Sequence, residues 1–150
     1  MTALSDLATA SLELVRLRGR RAKIERVAQL LRTCTRADTS TVARWMTGEP
    51  AALPLGIGPA LIAATQTTAP AASPTLSVDR VARELQAVAS LRGVGSKAHR
   101  SNHLARLFAV ATADEQRFLS HLLLGELRQG ALLGLMIEAV ATAFALPVPA

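Results

Sequence analysis

Tyrosine is absent from this sequence, tryptophan occurs once and phenylalanine three times, so aromatics make up only 3% of the 150 residues. A core must then be aliphatic, and with 50% of the residues hydrophobic there is enough material to build one. Ala and Leu favour helices, whereas strands favour β-branched and aromatic side chains. The composition therefore predicts an all-α protein, and the missing aromatics argue against a surface that stacks single-stranded bases. The single cysteine, Cys34, excludes an internal disulfide and a thiolate metal site; its expected role is that of a small helix residue. The longest apolar stretch, 131–146, is interrupted by Glu138 and is too short to span a bilayer. The first turns of the chain carry Asp6 and Glu13 and no continuous apolar segment, so no signal peptide is expected. These features predict a cytoplasmic, nucleoid-associated monomer with no membrane partner.

Lysine is nearly missing as well, occurring only as Lys23 and Lys97. The net charge of +6 and the pI of about 11.2 are thus almost wholly the work of arginine. A GC-rich genome would account for the total but not for its placement. Arginine's planar fork donates two hydrogen bonds at once, which suits phosphate. Catalytic patterns are absent: there is no Walker loop, no GxSxG and no HExxH. His99 and His103 have metal-ligand spacing, but no third ligand accompanies them, and no metal is expected.

Helical spacing runs along the whole chain. Leu4, Leu7, Ser11, Leu14 and Val15 mark one face of a first helix. Ile24, Val27, Ala28, Leu30 and Leu31 mark a second, after the turn Arg18-Gly19-Arg20-Arg21. Thr35 or Asp38 is the expected cap of a third, which carries Val42, Trp45 and Met46 and stops at Gly48-Glu49-Pro50. A short helix over 60–65 follows the turn-rich loop 54–59. The stretch 65–77 is polar, uncharged and Pro-bearing, and reads as a flexible connector. Beyond it, Ser77 or Asp79 should cap a helix through Val81, Leu85 and Val88. After Gly93-Val94-Gly95-Ser96 comes a helix with Leu104, Leu107 and Phe108. Thr112 and Glu115 have capping-box spacing before Phe118, Leu119, Leu122 and Leu123. A last helix follows Gln129-Gly130 and runs toward Pro147.

The chain divides into a first half over 1–64, the connector over 65–77 and a second half over 78–150, and the halves repeat. Moved forward by 77 residues, Ala28 falls on Ala105, Leu30 on Leu107, Thr35 on Thr112, Gly48 on Gly125 and Glu49 on Glu126. Leu17-Arg18-Gly19 and Leu91-Arg92-Gly93 correspond after a small further shift. Two such halves can pack with pseudo-twofold symmetry.

The charges concentrate at equivalent places in the two halves. Arg16, Arg18, Arg20, Arg21, Lys23 and Arg26 surround the first turn, with Glu25 the one acid among them. Arg92, Lys97, Arg100 and Arg106, with His99 and His103, surround the second. Each cluster precedes or opens a helix, whose free N–H groups and positive dipole end suit a phosphate. Candidate DNA-binding residues are therefore Arg18, Arg20, Arg21, Lys23, Gly95, Ser96, Lys97 and Arg100, with Ser96 also expected to cap its helix. The tight turns at Gly56-Ile57-Gly58 and 126–130 add Gly56, Gly58, Arg128 and Gly130.

Three strings carry a family resemblance: Gly95-Ser96-Lys97-Ala98-His99-Arg100, the Ala-Thr-x-x-Glu at 111–115, and Phe-Leu-x-x-Leu-Leu-x-Gly-Glu-Leu-Arg-Gln-Gly at 118–130. Trp45-Met46-Thr47-Gly48-Glu49 and Gly56-Ile57-Gly58 agree in the first half. The chain resembles the N-terminal DNA-binding domain of ATP-dependent DNA ligases of the actinobacterial type. That resemblance implies a pseudo-twofold helical domain that grips duplex or nicked DNA from the minor-groove side, mostly through phosphates. It implies as partners the nucleotidyltransferase and OB domains of a ligase, where a Lys-x-Asp-Gly motif supplies the nucleophile and ATP and Mg are used. Neither lysine here lies in such a motif, so this chain is expected to hold no cofactor and to be inactive alone. Gly19 stands where the family often has Ser or Thr. The alternative reading is an α-helical protein-interaction module whose basic face meets an acidic partner; a third is a stand-alone nucleoid or repressor-like protein.

Overall fold

The computed structural model describes residues 1–50, 55–125 and 133–147. Among these, the helices in order are α1 (Leu4–Arg16), α2 (Arg20–Thr33), α3 (Thr39–Met46), α4 (Pro59–Thr65), α5 (Val78–Ala89), α6 (Ser96–Ala109), α7 (Ala113–Leu123) and α8 (Leu133–Phe144). No strand occurs among the described residues, only an isolated antiparallel bridge between Ala3 and Ser77. The fold is all-α, as the composition predicts. None of these helices is long and apolar enough to cross a membrane.

Local chemistry explains several helix starts. Pro59 occupies the first turn of α4, where its missing N–H costs nothing. Ser77 caps α5 by accepting from the Arg80 amide at 3.1 Å. Thr112 and Glu115 form the predicted capping box on α7, with the Glu115 carboxylate accepting from the Thr112 amide at 2.8 Å. Two expected caps fail. Asp38 precedes α3, but its carboxylate accepts from the Thr35 hydroxyl at 2.8 Å and the Thr2 amide at 3.3 Å instead of from the helix. Burial alone would push that carboxyl up, but these hydrogen bonds hold it below the ordinary aspartate value. Ser96 does not cap α6 either. Gly95, in the left-handed region at φ 83°, takes the capping position and places Ser96 inside the first turn.

The helices bury one continuous aliphatic core around Trp45, Phe108 and Phe118. Leu4, Leu7, Ser11 and Leu14 face it from α1, but Val15 is 72% exposed, contrary to the expected face. Cys34 follows α2, and its thiol lies 3.2 Å from the Leu30 carbonyl.

The halves interlock rather than sit side by side. In each, the second helix packs against the fourth helix of the other half: α2 against α8, and α6 against α4. Likewise α1 packs on α7, and α5 on α3. The contact between the chain start and the start of the second half has the same reciprocity. The Leu4 amide donates to Leu76 O at 3.0 Å, and the Val78 amide donates to Thr2 O at 2.9 Å. A shift of 74 residues carries Thr2, Ala3 and Leu4 onto Leu76, Ser77 and Val78, and so exchanges these two bonds. The expected connector touches the rest of the molecule at several points: Leu76 is buried, the Ala71 amide donates to Ala111 O at 2.8 Å, and the Gln116 side chain donates to Thr68 O at 3.3 Å.

Candidate nucleic-acid interface

Most helices here begin in the ordinary way or are neutral at their start. Asp6 lies in the first turn of α1, Asp79 in that of α5, and Asp114 with Glu115 in that of α7, each opposing the positive dipole end. The basic helices break this pattern. α2 opens with Arg20, Arg21 and Lys23, and α6 with Ser96, Lys97 and, one turn in, Arg100. Neither has an acid in its first turn or a side-chain cap. Cations at an uncapped N-terminus are unfavourable in isolation and become favourable when an anion arrives.

The first basic turn is set by Gly19, whose φ of 88° and ψ of 147° lie in a region that only glycine adopts readily. Arg18 and Arg21 are exposed, and Lys23 is half-buried. Arg20 does not stand free: its guanidinium forms an ion pair with Glu138 of α8, its Nε donating at 3.0 Å. The same side chain lies beside Gly134, where a Cβ would meet its Nη2 at 3.7 Å. Arg26 pairs with Glu13 of α1, and Arg32 donates to the Thr142 and Ala143 carbonyls at the end of α8, at 3.1 and 3.4 Å. Of the residues that give the first turn its charge, Arg20 is therefore fastened to α8 and Arg26 to α1.

The second basic turn meets the loop before α4. Lys97 and His99 are exposed, and Arg100 is half-buried. Arg100 lies across Gly56, which sits at φ 67°; a Cβ there would approach Arg100 Nε to 2.9 Å. Only glycine admits both the backbone conformation and the guanidinium. Arg100 Nε is buried and has no hydrogen-bond partner among the described residues. Gly58 precedes α4, and its carbonyl accepts from the Leu61 and Ile62 amides. Arg92 behaves differently from its sequence grouping, because its Nη1 donates to the Ala89 and Leu91 carbonyls at the end of α5. His103 pairs with Glu84 at 3.0 Å.

The structure thus brings Gly56 to Arg100, and places Arg20 beside the first turn of α8. Arg128 and Gly130 lie outside the described residues, as does the rest of their turn. Glu138 was missed by the sequence reading because no local spacing connects it to Arg20, which is 118 residues away. No group of three or more His, Cys, Asp or Glu that could hold a metal occurs among the described residues.

Comparison with known proteins gives a consistent result. Residues 57–141 match the family described as DNA ligase N terminus. A probable DNA ligase of Mycolicibacterium gilvum is 45% identical over 144 residues, covering 96% of this chain and 28% of that protein. A probable DNA ligase of an Anaeromyxobacter species is 45% identical over 145 residues, with the same coverage of 96% and 28%. One of Mycobacterium marinum is 41% identical over 150 residues, covering 98% of this chain and 29% of that protein. The chain spans less than a third of the length of these relatives.

Proposed function

Because the chain belongs to the DNA ligase N-terminal family, we propose that it is the duplex-DNA-gripping module of an ATP-dependent ligase acting in replication or repair. It binds without reading sequence, through phosphates on the minor-groove side around a nick. Phosphate contacts position a protein on a duplex but carry no sequence information.

One observation carries this reading: α2 and α6 both open with cations, with no acid in the first turn and no side-chain cap, and the sequence places them at corresponding positions of its two halves. At the start of α2, Arg20 lies beside Gly134 in the first turn of α8, and in α6 Arg100 lies across Gly56 in the loop before α4. The reciprocal bonds around Ala3 and Ser77 support an approximate twofold axis at that point. Such an axis would present both turns to one duplex. The chemistry of sealing belongs to the remainder of a ligase. In this chain neither Lys23 nor Lys97 stands in a Lys-x-Asp-Gly motif, so incubation with ATP and Mg should leave it unadenylylated.

The reading is tested by fluorescence anisotropy on random-sequence duplexes over a salt series. If about four to six phosphates are neutralised, log K falls against log salt with a slope of roughly −4 to −5. Absence of binding at low salt, or affinity indifferent to salt, rejects the reading and favours an acidic protein partner.

A further inference from the structure

A groove of about 370 Å³ runs between α1 and α7, and no glycine of either basic turn lines it. Its floor is mostly apolar, built from Ala8, Leu12, Val15 and Phe118 with Ser11 among them. Its rim carries Arg16, Arg117 and His121, all exposed, against the single acid Asp114. Asp114 is accounted for by its place in the first turn of α7, where it opposes the helix dipole. No ion pair engages Arg16 or Arg117 among the described residues, in contrast to Arg20 and Arg26. Arg117 and His121 are one turn apart on α7, so they share a face. Val15 lines the groove and is 72% exposed although it lies on the side of α1 that its neighbours bury.

The groove is continuous with the first basic turn. Arg16 is the last residue of α1, and Arg18 follows two residues later. Past the end of α1 at Arg16, cations recur along the chain at Arg18 and Arg21, with Arg20 between them paired to Glu138. A chain of phosphates spaced along a strand needs such a series. Its deoxyribose rings offer apolar faces that an aliphatic floor accommodates, while the arginines neutralise the charge.

We propose that the α1/α7 groove binds the sugar-phosphate backbone of the duplex as it continues past the first basic turn, with Arg16, Arg117 and His121 as its phosphate contacts. This rests on the DNA-binding reading above, and it extends the contact surface from the first basic turn to the facing sides of α1 and α7.

Two measurements test it. The first follows maleimide labelling of V15C in a C34S background, with and without a 30-base-pair random duplex or poly-glutamate. The duplex should slow labelling roughly fivefold or more, while poly-glutamate at matched charge should not. The second compares the salt slope of the R16Q/R117Q chain with the parent; a decrease of about two is expected, one per lost phosphate contact. Both positions are exposed, so the melting temperature should stay the same. If the parent binds the duplex but V15C labels at the same rate and the slope is unchanged, the groove proposal is overturned and the function stands. If poly-glutamate protects the V15C thiol and the duplex does not, the groove is a seat for an acidic protein segment and the proposal is overturned. If the parent does not bind duplex at low salt, both fall together.

Discussion

Around the first basic turn six cations gather between Arg16 and Arg26, whereas around the second there are four between Arg92 and Arg106. Counted along the chain, the first turn is the stronger. In the folded molecule two of its six are tied to acids brought from other helices, Arg20 to Glu138 and Arg26 to Glu13. None of the second turn's four has an acidic partner among the described residues, although Arg92 is engaged by carbonyls. The two turns also differ in how their arginines are held. Arg20 is anchored by charge to α8, so part of its favourable electrostatics is already satisfied. Arg100 is anchored by shape across Gly56, with a buried Nε that has no hydrogen-bond partner among the described residues. Linear charge density is thus a poor guide to free charge: folding neutralises one cluster and prearranges the other.

The largest expected effect follows from that difference. Replacing Lys97 and Arg100 with Ala should weaken duplex binding on every sequence alike and make the salt slope shallower by about two. Replacing Arg20 and Lys23 should reduce it by only about one, because Glu138 already compensates Arg20. Anisotropy titrations at several salt concentrations read both values. A larger loss from the Arg20 and Lys23 pair would break the comparison.

Next in size is Gly56→Ala. A side chain at φ 67° costs about 1–2 kcal/mol of backbone strain. The added Cβ would also displace the Arg100 guanidinium from a 2.9 Å approach. The melting temperature should fall by roughly 2–6 °C, and DNA affinity should fall about as far as with Arg100→Ala alone. Combining the two substitutions should then add little further loss of affinity, since each removes the same arrangement. Full additivity on affinity would show that Gly56 and Arg100 act separately.

These arrangements were unequally visible in the sequence. The capping box on α7, the Ser77 cap and the buried stripe of α2 were legible because their partners lie within one or two helical turns. The Arg20–Glu138 and Gly56–Arg100 meetings depend on α2 crossing α8 and α6 crossing α4, which no local spacing encodes. The misplaced caps have a similar origin. Asp38 was diverted by Thr2 from the far end of the chain's first turn, and Ser96 was displaced by the left-handed Gly95. Val15 was expected on the buried face of α1 but is 72% exposed, because α1 and α7 leave a groove open there instead of closing over it.

A smaller effect of opposite sign is expected from Glu138→Gln. It frees Arg20 without removing it, so duplex affinity should rise and the slope should steepen by at most about one. Both partners are substantially exposed, at 57% and 37%, so loss of the pair should change stability little. The same substitution in the R20A background should have almost no effect on binding. An equal gain there would mean that Glu138 acts by general repulsion of DNA, and not by holding Arg20.

The smallest effect is expected where charge is altered away from both turns. Arg80 and Arg83 lie on α5, and Arg83 already pairs with Asp79 at 3.1 Å in an i,i+4 arrangement. Replacing both with Ala removes the same formal charge as replacing Lys97 and Arg100. If binding depended only on net charge, the two double variants would lose affinity equally and show equal changes in slope. If it depends on where the turns place phosphates, the Arg80 and Arg83 variant should keep the parent's slope within error. Thermal stability should barely separate the two, since exposed charges and surface pairs of this kind contribute only about 0.3–0.5 kcal/mol. The comparison is therefore read on DNA alone. Equal losses from both variants would reduce the basic turns to a share of the overall field and end the case for a paired site, even in a chain that still bound DNA.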